Sequence, residues 1–187
     1  MSTTTHDIAE IERRMRGSLD ALRRELSGLR TGRASAHLLD TVHAMVYGAR
    51  MPLNQVATVT VPEPRMISVQ VWDKSNVMAV DKGIREANLG LNPIIDGQVL
   101  RLPVPAPTAE RRQEFVKQAH KFAEHHRVAV RNVRREAMEL LKKLEKDGKM
   151  SQDDHRKNSE KVQELTDKMI KELDGTLAAK EAEILKV

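Results

Sequence analysis

Apolar residues recur at helical spacing in one stretch near the N-terminus and in two stretches that fill the second half of the chain. In the first stretch they step by three or four positions, at Ile8, Ile11, Met15, Leu19, Leu22, Leu26 and Leu29. A lone helix in water cannot bury such a stripe, so the first helix is expected to pack against the two later ones. The sequence therefore predicts a three-helix bundle assembled from the two ends of the chain.

The two later stretches carry the same periodicity. A second helix is predicted over about 108–146, with a stripe at Phe115, Ala119, Phe122, His126, Val130, Val133, Ala137, Leu140 and Leu144. A third is predicted over about 151–186, with a stripe at Val162, Leu165, Met169, Leu173, Leu177 and Ile184. Gly148 is expected to end the second helix and Ser151 to cap the third. The two should form an antiparallel hairpin in an elongated bundle.

Between the first and second helices the apolar period changes to two. This alternation predicts strands at 42–46, 57–61, 67–71 and 99–102, with turns at Pro62-Glu63-Pro64 and Asp96-Gly97. A short helix capped by Ser75 is expected over 75–87. The predicted fold class is α+β: residues 1–30 and 108–187 form a discontinuous bundle. Residues 31–107 form an inserted small β/α/β domain that includes both linkers.

Two linkers join the predicted domains. Their residues are Thr31, Gly32, Arg33, Ala34 and Ser35 on the way in, and Pro103, Val104, Pro105, Ala106 and Pro107 on the way out. Each proline fixes φ and disfavours helix before it, so the pair should swivel more readily than it stretches. These residues are the candidate interdomain hinge. The alternative is that Gly32 ends the first helix and the prolines start the second.

The chain is basic, with a formal net charge of +5, and residues 108–149 hold 12 Arg and Lys against 7 acids. Arginines lie along one face of the second helix or beside it, at Arg127, Arg131, Arg134 and Arg135. Arg30 and Arg33 add charge near the end of the first helix. A guanidinium donates two parallel hydrogen bonds to a phosphate, which favours a nucleic-acid partner. The alternative is a charged face that is solvated or paired within its own bundle.

The chain contains only four aromatic residues, Tyr47, Trp72, Phe115 and Phe122. Single-strand readers stack bases on such rings, so a basic rod with few of them favours phosphate contacts to folded RNA or a duplex. Zero cysteines and the absence of a signal peptide or membrane span predict a cytoplasmic protein without disulfides.

The sequence predicts no catalytic residues, cofactor or metal site. Phosphate-loop, dinucleotide, nucleophile-elbow and zinc-protease motifs do not occur. His120, Glu124, His125 and His126 form the one cluster that resembles metal ligands, but His126 falls on the core stripe. Asp153 and Asp154 are expected to stabilise the start of the third helix rather than to form a catalytic dyad.

Three separated segments resemble signature stretches of the bacterial ribosome recycling factor family. They are Arg30-Thr31-Gly32-Arg33-Ala34-Ser35, Leu89-Gly90-Leu91-Asn92-Pro93 and the run from Arg127 to Arg135. The resemblance implies an L-shaped, two-domain, transfer-RNA-like molecule. It also implies a monomeric, non-enzymatic translation factor that splits the post-termination 70S ribosome together with elongation factor G. The GTP is used by that partner.

By the same resemblance, the contacts to 23S ribosomal RNA of the large subunit fall on Arg30, Arg33, Arg131 and Arg134, with Arg134 the most critical, and less strongly on Arg127 and Arg135. Asn132 either contacts the RNA or positions the neighbouring arginines, and the alternative is a solvent-facing helix residue. The chain departs from the family pattern at Ser35-Ala36-His37, which lacks a proline, and at Val46-Tyr47-Gly48, which has one aromatic where two are common. Two rival hypotheses are a coiled-coil scaffold that pairs its stripes between chains and a nonspecific nucleic-acid binder.

Overall fold

A computed structural model of the protein describes residues 7–29 and 31–186. The helices are α1 (Ile8–Gly28), α2 (Val77–Glu86), α3 (Ala109–Lys146) and α4 (Gln152–Leu185). The strands are β1 (His43–Val46), β2 (Ala49–Pro52), β3 (Ala57–Glu63), β4 (Met66–Val71), β5 (Ile94–Asp96) and β6 (Val99–Pro103). Helices α1, α3 and α4 belong to one compact unit, and the elements between α1 and α3 belong to a second. The predicted α+β class is confirmed.

The first unit is a bundle in which α1, α3 and α4 all pack on one another. Its core follows the predicted stripes of α1 and α4, with Met15, Leu19 and Leu173 fully buried. Near the end of α3 the prediction is wrong by one position, because Leu141 is buried while Leu140 and Leu144 are half-buried. An α-helix with 3.6 residues per turn drifts from a strict seven-residue repeat, so the buried stripe moves around the helix.

The hairpin between α3 and α4 is held by local capping. Gly148 has a φ of +69°, a left-handed conformation that suits glycine after a helix. The Ser151 hydroxyl accepts a hydrogen bond from the backbone N–H of Asp154 at 3.0 Å, which confirms the predicted cap. His155 Nδ1 lies 3.0 Å from Glu145 Oε2 and links the two helices beside the turn.

The second unit contains a four-stranded antiparallel sheet in the order β3-β4-β6-β5 and a separate β1–β2 hairpin. Helix α2 packs on β1. The core of the unit is made by one face of β4 and β6 together with α2, and includes Ile67, Val69, Leu100, Leu102, Val80 and Ile84.

Two local predictions in this unit are wrong. Glu63 pairs with Met66, so the β3–β4 turn is formed by Pro64 and Arg65 and does not begin at Pro62. The carboxylate of Asp73, not Ser75, provides the cap before α2, since it accepts a hydrogen bond from the Ser75 backbone N–H at 2.9 Å. A 3-10 turn, Lys74–Asn76, then leads into the helix.

Candidate nucleic-acid interface

The exposed face of α3 carries two arginines that no side chain of the described residues neutralises. Arg131, Asn132 and Arg135 are exposed. In the part of the chain that the structure describes, neither Arg131 nor Arg135 forms a hydrogen bond or an ion pair. Their guanidinium groups therefore keep their full set of N–H donors for a ligand.

Arg127 lies on the same helix but is paired with acidic side chains of the bundle. Its side chain is 19% exposed, it bonds Asp174 of α4 at 2.5 Å, and it also bonds Glu124 on its own helix. The hydrogen bond with Asp174 raises the pKa of Arg127 above its ordinary value, and the bond with Glu124 acts in the same direction. Arg127 thus joins α3 to α4 and has fewer donors left for a phosphate.

Arg134 is held in a different way. It is half-buried, and its Nη1 donates a hydrogen bond to the side-chain oxygen of Gln163 on α4 at 3.3 Å. Gln163 is uncharged, and within residues 7–29 and 31–186 Arg134 has no acidic partner. The contact orients the guanidinium without cancelling its charge.

Of the two arginines predicted to contact RNA near the end of α1, the structure describes only Arg33. Arg33 is exposed in the linker that follows α1. Arg30 lies outside the described residues. Helix α1 ends at Gly28, before Gly32, so Gly32 does not end this helix.

The candidate hinge residues are attached to the β3–β4 turn of the second unit. The backbone N–H of Ala34 donates to the carbonyl of Pro64 at 2.8 Å, and that of Val104 donates to the carbonyl of Arg65 at 2.8 Å. Gly32 has a φ of +78°, and a Cβ placed there would lie 3.0 Å from Cδ of Pro107. Both linkers are therefore fastened to the same two-residue turn.

Two of the histidines of α3, His120 and His126, contact separate acidic side chains in the bundle. His126 is buried and its Nε2 lies 3.1 Å from Glu25 Oε2 on α1, whereas His120 lies 3.1 Å from Glu181 on α4. Glu124 is paired with Arg127. Within the described residues, no cluster of three or more acidic, histidine or cysteine side chains is arranged to hold a metal ion.

The residues of α4 that contact the arginines of α3, Gln163 and Asp174, were not predicted from the sequence. Gln163 and Asp174 each follow a core residue directly, Val162 and Leu173. That position beside the buried stripe was a signal that their side chains border a neighbouring helix. It did not identify which arginine each of them would meet.

The helical bundle thus presents Arg131 and Arg135 exposed and without a partner in the described residues, an arrangement typical of proteins that contact polyanions through their phosphates. No helix in the described ranges is both long and apolar enough to cross a bilayer.

Residues 22–185 match a protein family described as Ribosome recycling factor. The chain is 61% identical over 187 residues to the ribosome-recycling factor of Xanthobacter autotrophicus and 58% identical over 187 residues to that of Parvibaculum lavamentivorans, with 100% of both chains covered in each case.

Solved structures give the same result. A solution structure of the ribosome recycling factor aligns with a TM-score of 0.64 at 42% identity, covering 100% of both chains. A model of the T. thermophilus factor, described with E. coli elongation factor G bound to the E. coli post-termination complex, aligns with a TM-score of 0.56 at 43% identity over 98% of this chain and 100% of the other. The chain belongs to the ribosome recycling factor family, whose members are non-enzymatic translation factors.

Proposed function

We propose that this protein disassembles post-termination ribosomal complexes into subunits together with elongation factor G and GTP. Membership of the family supports the recycling activity, and the related factor described with elongation factor G on a post-termination complex supports the partner. GTP is consumed by that partner, and the protein itself needs no cofactor. It acts in the cytoplasm.

The exposed face of α3 is the surface that binds RNA of the large subunit. The observation that carries this assignment is that Arg131 and Arg135 are exposed without an acidic partner in the described chain. Each arginine that reaches a phosphate releases bound counterions, so binding weakens as salt rises. A lost arginine–phosphate contact costs about 1 to 3 kcal/mol. Arg30, Arg33, Arg134 and Asn132 complete the proposed contact set, and Arg127 is its weakest member.

The second unit moves during recycling, and the candidate hinge lies in the two linkers. The bonds from Ala34 and Val104 to the Pro64-Arg65 turn support a specific form of this motion. Linker segments that are fastened to the second unit move with it, so rotation is concentrated where they meet α1 and α3. Elongation factor G supplies the push, and the RNA-bound bundle transmits it to contacts between the subunits.

The protein works as a monomer. The core stripes of α1, α3 and α4 are buried against one another within a single chain. A scaffold that pairs its helices between chains needs such stripes free, so the packing favours the recycling hypothesis over the scaffold.

The recycling activity can be measured by light scattering on post-termination ribosomes mixed with the protein, elongation factor G and GTP. The proposal predicts a fall in scattering that requires both factors and GTP, and that is strongly reduced for Arg131→Ala. Unchanged scattering with active ribosomes and a cognate elongation factor would refute it. Equal binding to duplex DNA and to large subunits would instead favour a nonspecific nucleic-acid binder.

A further inference from the structure

Helix α4 has two residues that meet arginines of α3, and the two differ in charge. Asp174 bonds Arg127 at 2.5 Å, whereas Gln163 bonds Arg134 at 3.3 Å. The two arginines are about two turns apart on α3, so they share one border of the helix. One arginine is neutralised by the bundle and the other keeps its charge.

Gln163 is exposed and has a second hydrogen bond on its own helix. Its side-chain N–H donates to Oδ1 of Asp167, one turn further along α4, at 2.9 Å. With its nitrogen occupied by this carboxylate, the amide oxygen is directed to Arg134. The chain Asp167–Gln163–Arg134 therefore fixes the orientation of the guanidinium from the neighbouring helix.

We infer that Gln163 is a positioning residue for RNA binding: it holds Arg134 in a fixed orientation while leaving its charge available to a phosphate. The inference rests on the proposed function, since it requires Arg134 to contact large-subunit RNA. A carboxylate at this position would form an ion pair with Arg134, as Asp174 does with Arg127. An amide gives the same reach and hydrogen bond without that competition.

The competing explanation is that the Arg134–Gln163 bond only helps α3 pack against α4. In that case Gln163→Met, which removes the acceptor without adding charge, would weaken the contact between the helices and leave RNA binding unchanged. Because only the positioning role predicts weaker ribosome binding for Gln163→Met, this substitution separates the two explanations.

The test measures binding of the full-length protein to isolated large subunits over a series of salt concentrations. Gln163→Glu is expected to weaken binding about tenfold and to reduce the slope of log affinity against log salt by about one unit. Gln163→Met, which removes the acceptor but adds no charge, is expected to weaken binding less and to keep the slope. Gln118→Glu is the matched control, since Gln118 is exposed on α3 and, at a rise of 1.5 Å per residue, lies roughly 24 Å from Arg134 along the helix.

A double-mutant comparison links the effect to Arg134. The effect of Gln163→Glu is expected to disappear when Arg134 is already alanine, because no guanidinium remains to be neutralised. If Arg134→Ala weakens binding while Gln163→Met binds like the parent protein, the positioning role is wrong and the RNA face stands. If Arg134→Ala and Arg131→Ala both bind like the parent protein, the proposed RNA face is wrong as well, and with it the role of Gln163.

Discussion

Arg127 and Arg131 lie one turn apart on α3, but their changes to alanine are predicted to affect different properties. Arg127→Ala should affect the stability of the bundle, and Arg131→Ala should affect ribosome binding. Arg127 is 19% exposed and bonds Asp174 and Glu124, whereas Arg131 is exposed without a partner in the described chain. We expect Arg127→Ala to lower the stability of the bundle and to change the salt dependence of ribosome binding much less than Arg131→Ala does. Arg131→Ala should leave the stability of the bundle nearly unchanged and should reduce the salt dependence of ribosome binding.

The magnitudes follow from the exposure of the partners. Asp174 and Glu124 are 53% and 56% exposed, so each ion pair is screened and contributes about 0.2 to 1 kcal/mol. Adding the packing of the buried stem, Arg127→Ala should cost about 1 to 2 kcal/mol, with a fall in melting temperature of roughly 2 to 4 °C per kcal/mol. Arg131→Ala should change stability by less than about 0.5 kcal/mol. It should weaken large-subunit binding about tenfold and lower the salt slope by about one unit.

Thermal unfolding followed by circular dichroism measures the change in stability. Binding to large subunits at several salt concentrations measures the salt slope. An Arg127→Ala protein that melted like the parent protein and lowered the salt slope as much as Arg131→Ala would contradict this assignment. In that case the ion pairs of Arg127 would not hold it in the bundle.

Two further predictions concern the second unit. Gly83→Ala places a Cβ 2.2 Å from the backbone oxygen of His43, so α2 and β1 must separate. We expect a loss of about 1 to 3 kcal/mol in unfolding measurements, whereas Gly175→Ala, which meets nothing within 4 Å, should gain about 0.5 to 1 kcal/mol. A stabilised Gly83→Ala protein would contradict this packing. The second prediction concerns Asp73, whose pKa is lowered first by the Tyr47 hydroxyl and then by the Ser75 N–H and hydroxyl. Its contribution to stability is therefore complete above the ordinary aspartate pKa of about 4 and is lost as the pH falls through the lower folded value. Tyr47→Phe should raise the pKa of Asp73 in an NMR titration of the carboxyl carbon, and an unchanged midpoint would show that the Tyr47 bond has no such effect.

The helices could be predicted from sequence because their apolar residues recur at helical spacing over many turns. Ser151 was identifiable as a cap because its side chain acts on a neighbour three residues away. Strands β2 and β5 were missed for a physical reason: β5 has three residues, all exposed, and β2 has no apolar alternation. Such short edge strands depend on the partner to which they hydrogen-bond, and the local sequence does not name that partner.

The candidate site could be predicted as a set of arginines on one helix but not as individual roles. Asp174 lies 47 residues from Arg127 in the chain, and Gln163 lies 29 residues from Arg134. Which acid or amide meets which arginine depends on the register between α3 and α4. That register is fixed by the packing of the whole bundle, so it cannot be read from spacing along one helix.

The placement of α3 against ribosomal RNA is the central claim, and site-directed hydroxyl-radical cleavage tests it most directly. The chain has no cysteine, so a single introduced cysteine carries the only iron chelate. With the chelate at Asn132→Cys, on the exposed part of α3, cleavage is expected in large-subunit RNA. With the chelate at Lys168→Cys, on the exposed part of α4, these cleavages should be weak or absent. Strong cleavage of the same RNA from Lys168→Cys and none from Asn132→Cys would contradict the account.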